Sequence, residues 1–292
     1  MAIHQKIKTG IETLDALLGG GLPHDASILV IGSPKSGKKP LMMQFAYEGL
    51  KMGTPAIIVL TDYSYENWKE MMALGNWRTD EFEKKRMVRF IDAYSKQFNP
   101  EKEDTDACTY PEGGGALNSI SLHISRAETA LNGNTAPRVL FHSLSSLLEA
   151  SNAPTVFRFL QFLIGKFRNA GSMSIYSLEK GMHDEKDITT IESLMDGIIE
   201  FEDNKLRVRG IIGADPKWHE FKIGRKGFEI LGVSGLAAAA KKVEAHEQAE
   251  EKKASTKKAA KKSPVKKTKE KPKGKNKAKK KEEKKKQEKK KR

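Results

Sequence analysis

One stretch constrains this chain more than any other: Ile31-Gly32-Ser33-Pro34-Lys35-Ser36-Gly37-Lys38-Lys39-Pro40. Gly32, Gly37 and Lys38 stand at the spacing G-x-x-x-x-G-K, that of a loop whose backbone N–H groups cradle phosphate. Ser27 to Ile31 before it is a short apolar run ending in glycine, as a buried strand should be, and Leu41 to Leu50 after it is helix-forming. Strand, loop and helix form the setting in which that spacing works, because the helix N-terminus offers unpaired donors to an anion. The hydroxyl residue that should follow the lysine is missing, and Lys39 stands in its place.

The rest of the chain alternates apolar strand-like runs with helical periodicity. Residues 11–18 read as a short amphipathic helix stopped by three glycines. Strands are expected at 56–60, 88–92, 138–142 and 172–178, and helices at 64–74, 117–131, 153–170 and within 187–195. The segment 95–115, with Pro100, Pro111 and three consecutive glycines, reads as a loop. Four strand-like segments close the pattern (197–202, 205–211, 219–223, 227–231), with Asn204 marking a tight turn. The reading is an α/β fold with a mainly parallel central sheet, helices on both faces and antiparallel C-terminal strands at one edge.

Charge separates two parts of the chain. Residues 241–292 contain 25 Lys and Arg against 8 Asp and Glu, a net +17, whereas the whole chain carries +15, so residues 1–240 sum to −2. We therefore divide the chain into a domain at 1–235 and a basic low-complexity tail at 236–292. The tail reads as helix-prone over 236–254 and disordered beyond. Lysine-rich tails bind DNA or RNA through counterion release, and without aromatic residues this one lacks base-stacking groups. The one cysteine, Cys108, excludes an internal disulfide. With no long apolar run and no basic-then-apolar leader, the sequence suggests a soluble, cytoplasmic protein with no membrane partner and a tail suited to the nucleoid.

Thr9 to Pro23, reading T-G-I-E-T-L-D-A-L-L-G-G-G-L-P, resembles the entry signature of the archaeal KaiC-like branch of the RecA-type P-loop ATPases. Lys51 to Pro55, Ile91 to Tyr94, Ser143 to Leu147 and Arg207-Val208-Arg209-Gly210 are similar to later motifs of that family, in the same order. The resemblance implies a RecA-like core, ATP or another nucleotide as ligand, and a homo-oligomer, often a hexamer with nucleotide between subunits. It implies phosphate contacts from Gly32, Ser33, Pro34, Lys35, Ser36, Gly37, Lys38, Lys39 and Pro40, and a reach into the neighbour's site by Arg207 and Arg209.

The departures from that pattern all fall on one kind of chemistry. A P-loop site holds Mg²⁺ with a hydroxyl and an acid and orients water with a second acid. In this chain the hydroxyl is replaced by Lys39 and the strand-end acid by His142. The pair of acids after the second strand is reduced to Asp62-Tyr63, leaving Asp62 as the one catalytic candidate. Pro40 removes a backbone donor, and Lys35 stands where the family has glycine. Oxygen ligands are lost while cations remain, so the expectation is a nucleotide-binding regulator with little or no hydrolysis, with Lys39 substituting for the metal. No metal ligands are assigned and Mg²⁺ dependence is in doubt. Two alternatives stay open: an active ATPase with an unconventional metal shell, and an architectural nucleic-acid-binding protein with a vestigial loop. His142 reads as structural, His183, Asp184 and Glu185 as a solvated turn, Trp218-His219 as packing, and Cys108 as an inert thiol in a polar loop.

Overall fold

The computed structural model describes residues 6–112, 115–132, 135–224 and 227–233; the basic tail, with its expected helix and disorder, lies outside the described residues. A two-stranded antiparallel ribbon, β1 (Lys6–Ile7) and β2 (Leu22–Pro23), flanks helix α1 (Glu12–Leu17). In chain order there follow β3 (Ser27–Gly32), α2 (Lys38–Lys51), β4 (Ala56–Leu60), α3 (Tyr65–Leu74), α4 (Asp80–Lys84), β5 (Val88–Asp92) and β6 (Cys108–Thr109). The middle of the chain forms α5 (Leu117–Ala130), β7 (Arg138–His142), α6 (Leu144–Ala150), α7 (Ala153–Ala170), β8 (Ser174–Glu179) and α8 (Glu185–Glu192). It closes with β9 (Gly197–Glu202), β10 (Lys205–Arg209), β11 (His219–Gly224) and β12 (Gly227–Ile230).

Strands β3 to β12 make one sheet in the order β12-β11-β10-β9-β3-β8-β7-β4-β5-β6. Pairing is parallel from β9 through β3 to β6 and antiparallel from β9 outward to β12. The strands of the parallel part are apolar on both faces because both faces are covered. Ile28 and Val30 of β3 enter one core layer with Leu41, Met42 and Phe45 of α2, while Leu29 and Ile31 enter the other with Leu160, Leu163 and Phe167 of α7. Alternate residues therefore tie the phosphate loop's strand to helices on opposite sides of the sheet.

The polar loop expected at 95–115 is partly ordered structure. It opens with a 3₁₀ turn at Ser95–Gln97 and then adds β6 as a parallel edge strand on β5. Buried Asp92 organises the turn, accepting from the N–H groups of Tyr94 and Ser95 and from the Ser95 hydroxyl. Cys108 is fully buried in β6 rather than in a polar loop, and burial pushes its thiol pKa up. A strand of two residues carries too little periodicity to be recognised. Helix α2 begins at Lys38, ahead of the expected Leu41, since proline is tolerated in a first turn. Strand β10 stops at Arg209 because Gly210 takes a φ of 80°.

Candidate phosphate-binding site

The loop leaves β3 at Gly32 and enters α2 at Gly37, where φ is 104° and no side chain caps the helix. Only glycine fits at Gly37: a Cβ there would lie 2.9 Å from the Phe221 ring. At Gly32 a Cβ would lie 2.7 Å from the Phe201 Cβ. Phe201, Phe221 and Phe228 form a contiguous ring cluster packed against the loop. Lys35, in a glycine position, adopts the left-handed conformation with φ 63° and is exposed, as are Ser33 and Pro34. The Ser36 N–H donates to the Ser33 carbonyl at 3.2 Å and tightens the turn. Of the first-turn donors of α2, Lys38 and Lys39 retain theirs and Pro40 has none.

Two of the three loop lysines, Lys38 and Lys39, are already engaged. Lys38 is 3% exposed and its Nζ donates to the carbonyls of Gly32 (2.7 Å) and Ser33 (2.6 Å), with the Glu179 carboxylate at 2.9 Å and Ser36 Oγ at 3.3 Å. Burial lowers its pKa against the opposing pull of Glu179. Glu179 arrives through the sheet, because the parallel register of β3 and β8 sets it opposite Gly32. Lys39 donates to the Tyr63 hydroxyl, and its Nζ lies 4.2 Å from the Tyr63 ring centroid.

Beside them lies a second, more deeply buried group. His142, 1% exposed at the end of β7, shares a hydrogen bond between its Nδ1 and the Ser177 hydroxyl. Its Nε2 is 3.6 Å from Asp62 Oδ1, and the Trp68 ring centroid is 5.1 Å away. Burial, then Lys39 and Lys38, hold the imidazole pKa down to about 3, so it is neutral at pH 7. Asp62 goes the other way: burial pushes its pKa up to about 6, Lys39 opposes this and Glu179 adds to it. The donor set does not fit Mg²⁺, which demands oxygen ligands in an octahedron. Its carboxylates are Asp62 and Glu179, the latter already paired with Lys38 at 2.9 Å, an ammonium and an imidazole stand among them, and among the described residues no group of three or more His, Cys, Asp and Glu could hold a metal ion.

The remaining site candidates lie on β10. Arg207 donates from Nε to Glu200 at 2.9 Å and stacks its guanidinium 4.6 Å over Trp218, which is 37% exposed rather than packed away. Arg209 donates to Glu192 at 2.8 Å, and its Nε is 3.2 Å from the same Glu200 carboxylate. Lys180 completes the group at 3.0 Å. Of the three residues expected in a solvated turn, Asp184 is the exposed N-cap residue of α8, Glu185 is instead the exposed first residue of the helix, and His183 is partly buried with its Nε2 enclosed. Sequence reasoning missed Glu179, Ser177, Glu200, Lys180 and Trp68. Each acts through a strand pairing or ring contact that local spacing does not encode.

A mainly parallel sheet with a glycine loop between β3 and α2 defines a P-loop protein of RecA type. More narrowly, a family model described as "ATPase: KaiC" matches residues 7–235, and the chain belongs to that family. The chain is 30% identical over 143 residues to a UPF0273 protein of Pyrococcus horikoshii, covering 49% of this chain and 56% of that one. It is 26% identical over 251 residues to the circadian clock oscillator protein KaiC of Picosynechococcus, covering 81% and 42%. In such matches the chain spans about half the length of its curated relatives, although one UPF0273 protein, of Methanopyrus kandleri, is covered over 96% at 25% identity. Among solved structures, the KaiC-like protein of Pyrococcus horikoshii shares the fold at a TM-score of 0.61 and 20% identity, covering 77% of this chain and 98% of that one. Among the described residues no helix is long and apolar enough to cross a membrane.

Proposed function

We propose that the protein is a nucleotide-binding regulator that holds a nucleotide without Mg²⁺ and turns it over slowly or not at all. Membership of an ATPase family implies a nucleotide ligand. The observation that carries the rest is the position of Lys39, whose ammonium bonds the Tyr63 hydroxyl and acts electrostatically on both Asp62 and His142. A fixed cation there neutralises phosphate oxygens and repels a dication. His142, neutral and hydrogen-bonded to Ser177, offers no anionic ligand.

Calorimetry tests this with ATP in EDTA and again in millimolar Mg²⁺. Binding is expected in EDTA and is weaker with Mg²⁺, and Lys38→Ala abolishes it. Absence of binding in both conditions, or a strict Mg²⁺ requirement, overturns the reading. Absence of binding would favour a loop kept for packing, which the internal engagement of Lys38 and Lys39 also suits. The tail at 241–292 supports association with DNA or RNA by its charge alone. Deleting residues after Leu236 should abolish salt-sensitive retention on DNA, and undiminished retention would show that the tail is not the binder.

A further inference from the structure

A lysine ammonium has three protons to give. At Lys38 the three shortest contacts, to Gly32 O, Ser33 O and Glu179 Oε2, all lie within 2.9 Å and use all three. The side chain is almost wholly enclosed, so solvent supplies no slack. A phosphate oxygen can therefore reach this ammonium only if one acceptor withdraws. The Gly32 carbonyl is fixed, since it ends β3 and also accepts the Lys180 N–H at 2.9 Å. The Ser33 carbonyl is held within the loop by the Ser36 N–H. Glu179 differs from both. Its backbone is anchored by the Ser145 hydroxyl at 2.9 Å, but the acceptor is a side-chain carboxylate at a strand end, 19% exposed, whose withdrawal breaks no backbone hydrogen bond.

We propose that Glu179 is a built-in competitor for the P-loop lysine, so that the loop rests self-neutralised and a ligand enters only by displacing this carboxylate. The inference rests on the reading that the loop takes a phosphate ligand. It goes further by assigning the residue that sets affinity and selectivity. A monoanionic ligand gains nothing by replacing one carboxylate with another. A terminal phosphoryl dianion or a polyphosphate brings more charge and more acceptor oxygens to the same ammonium. Glu179 thus filters for multiply charged phosphates.

The test is titration calorimetry of the full chain with inorganic pyrophosphate and with ATP, in EDTA and again in millimolar Mg²⁺. Pyrophosphate isolates the loop from any contact with base or sugar. Glu179→Gln keeps the shape and removes the competing charge, so it should bind both ligands about tenfold tighter than wild type. Lys38→Ala in the Glu179→Gln background should bind neither. Glu179→Asp, which keeps the charge but shortens the reach to Lys38, should also tighten binding and guards against a folding defect in the first variant. Equal or weaker affinity in variants whose thermal melts show them folded overturns the competitor role. Tightening that appears only with Mg²⁺ supports the competitor and overturns the metal-free reading. Tightening absent while wild type binds in EDTA does the reverse. If no protein in the set binds either ligand, both fall.

Discussion

The buried ion pair at the phosphate loop and the charge cluster on β10 use the same chemistry in different surroundings. Lys38 is 3% exposed and its partner Glu179 19%, so neither has much access to water. On β10, Arg207 and Arg209 are 34% and 37% exposed, and with Lys180 at 40% they surround the one buried member, Glu200. When one partner is removed from an enclosed pair, the other is left as a charge without solvation. When the hub is removed from an exposed cluster, the freed cations turn outward into water. A count of positive charges across the two regions therefore says little about their availability: Lys38 and Lys39 are committed inward, whereas Lys35 is exposed and the β10 cations lie close to solvent.

The largest effect expected from this contrast is on stability. Glu179→Ala should cost about 2–3 kcal/mol, because Lys38 keeps its two carbonyls but loses its counter-ion. Glu200→Ala should cost about 1 kcal/mol or less, since three partly exposed cations separate and hydrate. Urea unfolding at pH 7 compares them directly. Equal costs would erase the distinction between the two regions, and replacing Lys38 by Met in the Glu179→Ala background should recover part of the larger loss, as a cavity-sized apolar group needs no counter-ion.

How much of this was readable beforehand differs by element. Helix α7 was expected at its observed limits, and its ends carry chemistry that fixes them: Asn152 caps the Thr155 N–H at 3.0 Å, Pro154 sits in the first turn, and Gly171 closes it at φ 72°. Strands β4, β5 and β7 were legible from apolar runs that the parallel sheet buries on both faces. The five-residue α4 and the two-residue β1, β2 and β6 were not, because they are shorter than any periodicity. The loop itself was legible as spacing, and Lys39 and His142 as substitutions with chemical meaning. What those side chains touch was not. Glu179 reaches Lys38 only because β3 and β8 are neighbours in register, and Ser177 reaches His142 across the adjacent pair β7 and β8. Trp218 was expected as packing, whereas it lies partly exposed under Arg207 in the loop that leads into β11. Residue type suggested burial, and position in a connecting loop overrode it.

Lys39 and Asp62 fall between the two extremes, and they carry the smaller, pH-dependent prediction. Asp62 is 33% exposed in its side chain, with a pKa near 6 against an ordinary 3.8. A carboxyl whose folded pKa is raised holds its proton longer in the folded state than in the unfolded one. Its contribution is therefore fully present below about pH 4, declines as pH rises from 4 to 6, and is gone above that. Full burial would make the loss at pH 7 larger, but partial exposure screens it to about 1 kcal/mol. Asp62→Asn should accordingly be more stable than wild type by that amount at pH 7 and indistinguishable at pH 4, measured by urea unfolding at both values. A difference that stays constant with pH would mean that Asp62 titrates as an ordinary surface acid, and that the pocket around Lys39 belongs with the solvated β10 cluster and not with the enclosed loop pair.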